Sequence, residues 1–184
     1  TFNNNFTYVT NDQFSGPKYL SIYKSSDNAF VKKIAFTDAA QNVVAVGNKV
    51  FVQNASFGFG NKISIVDAST NNLDKTITVP NGDINEIKSF NGSLYAISYT
   101  STDSYIYKIG TDGAVLETKK LTGIKNGDNL SIYENKFYFS SDAKVYAMDI
   151  NSTTIPVAPL FTVVYKQYSS LYGFNVIDGK IFTS

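Results

Sequence analysis

The chain has no cysteine, no histidine and no tryptophan among its 184 residues. Without cysteine there are no disulfides, no thiolate metal ligands and no cysteine nucleophile. Without histidine, the commonest general base and the commonest protein metal ligand are gone as well. Charge is sparse and balanced, 16 basic against 15 acidic residues for a net charge of +1. No run of Lys or Arg forms a phosphate-binding stripe, so nucleic acid is not an expected partner. No apolar run approaches the roughly 20 residues that cross a bilayer as a helix, and no motif calls for a cofactor. The polar opening TFNNN carries no visible leader, which is also how a mature exported chain reads.

What the chain does have is 13 Tyr, 14 Phe and many Asn, Ser and Thr. Low charge with this composition suits an exported bacterial β-protein. A length of 184 residues is enough for one domain with its own core.

The aromatics recur on a fixed period. TYVTN (7–11), VFVQN (50–54), LYAIS (94–98), FYFSS (137–141) and IFTS (181–184) align, with Tyr8, Phe51, Tyr95, Tyr138 and Phe182 at their second position. The spacings are 43, 44, 43 and 44 residues. After each aromatic strand comes a second strand, as in YLSIY (19–23), ISIVD (63–67), YIYKI (105–109) and VYAMD (145–149). Turns rich in Asp, Ser, Asn and Gly then lead to VKKIAF, KTITV, LETKKL and LFTVVY. A fourth strand, NVVAV, NEIKSF, NLSIY or GFNVI, runs into Gly47-Asn48, Asn91-Gly92, Glu134-Asn135 or Asp178-Gly179. Asn-Gly and Asp-Gly between apolar runs are strong hairpin signals. Four short antiparallel strands every 43 or 44 residues is the period of a β-propeller blade. A sandwich would not repeat one strand order four times, and no sustained 3.6-residue period supports long helices. The expectation is an all-β propeller with repeats at about 6–48, 49–92, 93–135 and 136–179 and the start of a fifth at 180–184.

Tyr8-Val9-Thr10-Asn11 and Ile63-Ser64-Ile65-Val66-Asp67, followed by Thr76-Ile77-Thr78-Val79, resemble the YVTN-type β-propeller repeat. The Tyr- and Asn-rich style is similar to surface lipoprotein propellers of Bacteroidetes, some of which capture cobalamin for an outer-membrane transporter. The resemblance implies a fold and carries no catalytic residue. It also implies that the strand ending in Asn-Gly is innermost, so that the chain starts and stops on a second strand. Seven or eight blades would need roughly 300 residues or more at this period. An open arc leaves some six large apolar side chains wet, at roughly 10 kcal/mol in total. The expectation is therefore four blades of a larger seven- or eight-bladed ring.

Propellers bind ligands on the loops at one end of the channel. On that rim the reading places Gln13, Phe14, Phe57, Phe59, Asp83, Tyr99, Asp128, Gln167 and Tyr168. Asn81-Gly82-Asp83 and Asn126-Gly127-Asp128 repeat at one blade position, with Asp38 near it in the first blade. Three such carboxylates could hold Ca²⁺, but Asn-Gly-Asp is also ordinary turn chemistry, and no metal site is assigned. Phe57 and Phe59, set among glycines in the loop 55–61, suit stacking on a sugar or corrin ring or packing on a neighbouring blade. Glu86 and Lys88 fall on an innermost strand, where a shifted pair could do acid–base work or simply line a wet channel. The resulting expectation is a non-enzymatic module exported to the periplasm or surface of a Gram-negative bacterium. It would capture a small ligand such as a corrinoid or glycan, or dock on an outer-membrane transporter or secretion-channel protein. The alternative is a lactonase- or lyase-like enzyme whose catalytic residues lie in blades outside this chain.

Overall fold

The computed structural model describes residues 1–13, 15–56, 59–164, 171 and 173–183. Four antiparallel four-stranded sheets follow one another along the chain. The first is β1 (Phe2–Asn3), β2 (Phe6–Asp12), β3 (Lys18–Lys24) and β4 (Phe30–Phe36). The second is β5 (Val43–Val46), β6 (Lys49–Ser56), β7 (Phe59–Asp67) and β8 (Asn72–Thr78). The third is β9 (Asp83–Phe90), β10 (Ser93–Tyr99), β11 (Ser104–Ile109) and β12 (Val115–Leu121). The fourth is β13 (Gly127–Tyr133), β14 (Lys136–Ser141), β15 (Lys144–Asp149) and β16 (Phe161–Thr162). β17 (Phe174–Ile177) and β18 (Lys180–Thr183) pair as a two-stranded fifth sheet.

Burial explains the strand order. In the third blade Ser93–Ser98 of β10 is buried at every position, while outer strands such as β8 carry Asp, Lys and Thr and are largely exposed. The strands β5, β9, β13 and β17 lie beside one another from sheet to sheet, which makes the first strand of each sheet the innermost. Three apolar clusters lie between successive blades. Tyr8 contributes to the first, Phe51 to the second and Tyr95 to the third. The repeated aromatic of each of these blades thus packs into the interface with the next. All three are buried, Tyr138 is half-buried, and Phe182 on the fifth sheet is 54% exposed.

Hydrogen bonds at one-repeat spacing stitch the blades along their inner strands. Asn3 Nδ2 donates to Gly47 O at 2.9 Å, Asn85 Nδ2 to Gly127 O at 2.7 Å and Asn129 Nδ2 to Leu171 O at 3.3 Å. Between the first two blades the Tyr8 hydroxyl also donates to Asn71 Oδ1 at 2.7 Å, a buried bond.

Three expectations need correction. The chain does not start on a second strand: Phe2–Asn3 already pairs with Phe6–Thr7 as an innermost strand. Asn4 and Asn5 close that hairpin with φ of 47° and 65°, the paired left-handed geometry of a type I′ turn. A two-residue strand has too little pattern to stand out from TFNNN. Counted from its aromatic strand, each repeat ends on the innermost strand of the following blade, as the resemblance implied. Second, LFTVVY does not form a full outer strand. Among the described residues of that run only Phe161–Thr162 is a strand paired with β15. Single bonds continue it on either side, from Leu160 N–H to Val145 O at 2.7 Å and from Val163 N–H to Ala143 O at 2.8 Å. Pro156 and Pro159, which have no N–H to give a ladder, keep the preceding stretch out of the strand. Third, the described residues of the 55–61 stretch lie in strands. β6 and β7 continue to a Ser56–Phe59 pair, so Phe59 stands near the tip of a long hairpin.

Candidate functional site

A cleft of about 220 Å³ opens at the rim between the third and fourth blades, on the side where β9 and β13 begin. Asn85, Tyr99, Asn126, Asp128, Ser140, Asp142 and Leu171 line it. Asp128 is the second residue of β13, and Tyr99 closes β10 directly opposite Asp83. Asp83 Oδ1 accepts the Gly60 N–H at 2.9 Å. That bond ties the Phe59 hairpin of the second blade to the third. Phe59 beside it is 73% exposed.

Four residues placed on the rim by sequence thus share one neighbourhood: Phe59, Asp83, Tyr99 and Asp128. Gln13 does not join them; it is exposed in the β2–β3 hairpin of the first blade. Phe14, Phe57, Gln167 and Tyr168 lie outside the described residues.

The two Asn-Gly-Asp stretches look alike in sequence and differ in backbone. In the first, Gly82 takes φ +71°, whereas in the second Asn126 takes φ 54°. A Cβ on Gly82 would stand 2.0 Å from the Tyr99 carbonyl oxygen. Gly82 is therefore the close approach that seats the strand-end tyrosine. Gly127 instead donates its N–H to Ser104 Oγ at 2.8 Å.

The polar lining is cross-braced. Asn126 Nδ2 donates to Asp142 Oδ1 at 3.2 Å, and the Asn129 N–H donates to Asp128 Oδ1 at 2.7 Å. Ser140 Oγ accepts from Asn129 Nδ2 at 2.9 Å and donates to Asp128 O at 3.2 Å. Burial pushes the Asp128 carboxyl above the ordinary carboxylate range, against the Asn129 N–H bond that favours its charge. The Tyr99 phenol is raised by burial first, then by the negative charges of Asp83 and Asp128. Glu86, on the innermost strand β9, is also raised by burial, offset by Lys88 at 2.5 Å.

The sign of the Asp128 shift gives a pH-dependent expectation. A carboxyl raised on folding favours the native state fully below its unfolded pKa, about 3.9, and loses that contribution as pH rises through the folded value. The titratable groups facing it are Glu86 with its partner Lys88, the neutral phenol of Tyr99 and the cleft carboxylate Asp142. Asn in its place keeps an oxygen for the Asn129 N–H and removes the cost of ionisation. Asp128→Asn is expected to melt higher than wild type at pH 7, with the gap closing near pH 3.5. Paired thermal melts across that range measure it.

Among the described residues no three carboxylates come together as a metal site. Asp38 does not join Asp83 and Asp128; its carboxylate pairs with Lys62 at 2.9 Å. Asn85, Asn126, Ser140 and Asp142 escaped the sequence reading. One signal was available: Asn85 and Asn129 fall at nearly the same distance before their hairpin turns.

No protein-family model and no curated protein matches the sequence. Solved structures do. The chain is similar to the Dos1 propeller over 96% of its length and 51% of that chain, with a TM-score of 0.73 at 15% identity. It is similar to Ika8, a computationally designed protein, over 100% of its length and 53% of that chain, with a TM-score of 0.70 at 14% identity. A glutaminyl cyclase of Myxococcus xanthus matches over 96% of this chain and 81% of its own, with a TM-score of 0.55 at 13% identity. The chain spans about half the length of the first two. With its successive four-stranded antiparallel blades, the fold is a β-propeller.

Proposed function

We propose that the chain is a non-enzymatic binding module that holds a small polar ligand in the rim cleft between its third and fourth blades. The observation that carries this reading is the cleft itself, a polar concavity of about 220 Å³ with Tyr99 and Asp128 in its wall. Concave sites with a few convergent polar groups are where propellers and other scaffolds bind ligands. The exposed Phe59 on the adjoining hairpin adds a ring that could cover a bound molecule. In this reading the protein works in the periplasm or at the surface of a Gram-negative bacterium. Captured ligand passes there to an outer-membrane transporter or secretion-channel partner. Its support is compositional: low charge, no cysteine and abundant Tyr and Asn, together with the YVTN-type and lipoprotein resemblance.

A thermal-shift screen of small polar compounds tests the cleft. At a hundred times its Kd a true ligand stabilises by about 2.7 kcal/mol, a rise of roughly 5–10 °C for a chain of this size. Tyr99→Ala removes one wall and is expected to abolish the rise. Ser89→Trp, beside a second concavity lined by Val46, Phe90 and Asn91, is expected to leave it intact. Loss of the rise in Ser89→Trp alone would move the site to that other pocket.

An acid–base enzyme is the second reading, favoured by the Glu86–Lys88 pair and the raised Glu86 carboxyl. Turnover of a lactone in the presence of Ca²⁺, Mg²⁺ or Mn²⁺, lost in Glu86→Gln, would replace the binding reading.

A further inference from the structure

We propose that the occupant of this cleft carries a protonated amine, an inference that rests on the binding reading above. The lining is unbalanced in hydrogen-bond character. Each carboxamide spends one of its two N–H donors within the protein, Asn85 on Gly127 O at 2.7 Å and Asn126 on the wall residue Asp142 Oδ1 at 3.2 Å. The one hydroxyl proton of Ser140 is committed to Asp128 O at 3.2 Å. Against two remaining amide N–H groups and the Tyr99 hydroxyl stand two amide oxygens and two carboxylates, whose lone pairs still outnumber the donors of the wall. A complementary ligand must bring N–H or O–H groups.

Charge separates those two. Asp128 and Asp142 both line the cleft, and among the described residues neither forms an ion pair. Of the cations around the cleft, Lys88 is bound to Glu86 at 2.5 Å and Lys62 to Asp38 at 2.9 Å. Lys125 and Lys144, close to Asn126 and Asp142 in the chain, are exposed and within 4 Å of neither cleft carboxylate. Glu86 lies close enough to Asp128 for their charges to oppose each other. A half-buried carboxylate without a counter-charge loses solvation and gains little in return. An ammonium group restores the charge balance and supplies three donors at once, whereas a neutral polyol supplies donors alone. A divalent metal is disfavoured because it takes six to eight oxygens in the case of Ca²⁺, and no three carboxylates converge here. Leu171 and the Tyr99 ring give the ligand's carbon stem an apolar surface, and the ring face adds cation–π attraction.

Matched probes isolate the amine. Putrescine and 1,4-butanediol have the same carbon chain and differ in ammonium against hydroxyl; glucose adds a larger neutral polyol. Titration calorimetry on the full chain at pH 7 is expected to show binding of putrescine and none of butanediol. Asp128→Asn and Asp142→Asn should each weaken putrescine by about tenfold or more. Asp27→Asn, a carboxylate in a first-blade turn that accepts the Ala29 N–H, should leave it unchanged. Native-like melts of the two cleft variants keep a lost signal from being mistaken for unfolding. Failure of putrescine to bind, or equal losses from Asp27→Asn and Asp128→Asn, overturns the amine. Binding of glucose or butanediol blocked by Tyr99→Ala would overturn the amine and leave the cleft standing. If neither these probes nor the wider screen gives a Tyr99-dependent signal, both readings fall.

Discussion

Truncation of Phe51 to alanine is expected to cost about 3–5 kcal/mol, the usual range for a large aromatic removed from a closed core. Phe51 is fully buried between the second and third blades, in a cluster with Ile65, Ile87, Leu94 and Tyr107. That cluster has no wet side toward which it can collapse. The same truncation at Phe182, the corresponding residue of the fifth sheet, is expected to cost under about 1 kcal/mol, because its ring already meets solvent. Denaturant midpoints of the two variants in the 184-residue chain give the comparison directly. Similar losses at both positions would mean that something covers Phe182 in solution, and that the repeat aromatics are equivalent after all.

Gly82→Ala is expected to cost about 3 kcal/mol or more, and Gly92→Ala only about 1. Both glycines have positive φ, 71° and 72°, and an L side chain pays roughly 1–2 kcal/mol for that region. They differ in what a new Cβ would meet. At Gly92 there is nothing within 4 Å, whereas at Gly82 the Tyr99 carbonyl oxygen lies 2.0 Å away. A backbone oxygen cannot swing aside, so relief must come from a shift of β9 against β10, and overpacking of this kind adds about 1–3 kcal/mol. Because Tyr99 forms part of the cleft wall, Gly82→Ala should also lower ligand affinity in whatever fraction remains folded. Equal destabilisation at the two glycines would show that the close approach is relieved cheaply.

Strands were the most legible part of this chain. The alternating runs around Tyr8, Phe51 and Tyr95 recur with their turns, and each turn chemistry agrees with its neighbours. The first innermost strand was not legible. Phe2–Asn3 is recognisable as a strand only once Asn4 and Asn5 fold it back onto Phe6–Thr7. The shortened β16 was readable in principle from Pro156 and Pro159, but the apolar run that follows them masks the signal. At the cleft, Asp83, Tyr99 and Asp128 could be placed because they sit at strand ends whose position the repeat dictates. Asn126 and Asp142 could not. Their bond to each other spans the gap between the loop before β13 and the hairpin after β14, a juxtaposition that exists only when the fourth blade has formed. Asn85 reaches the cleft through its bond to Gly127 in the next blade, and no local pattern announces that.

The central claim is that ligands enter at the rim between the third and fourth blades. A ¹H–¹⁵N NMR titration of the full chain, with any compound that raises its melting temperature, tests this residue by residue. The amides of Gly60, Asp83, Tyr99, Asn126–Asn129 and Ser140–Asp142 are predicted to shift together and to saturate on one curve. Shifts confined to Gly47 and Ser89–Gly92 at the other pocket, or scattered without saturation over all four blades, would contradict the account.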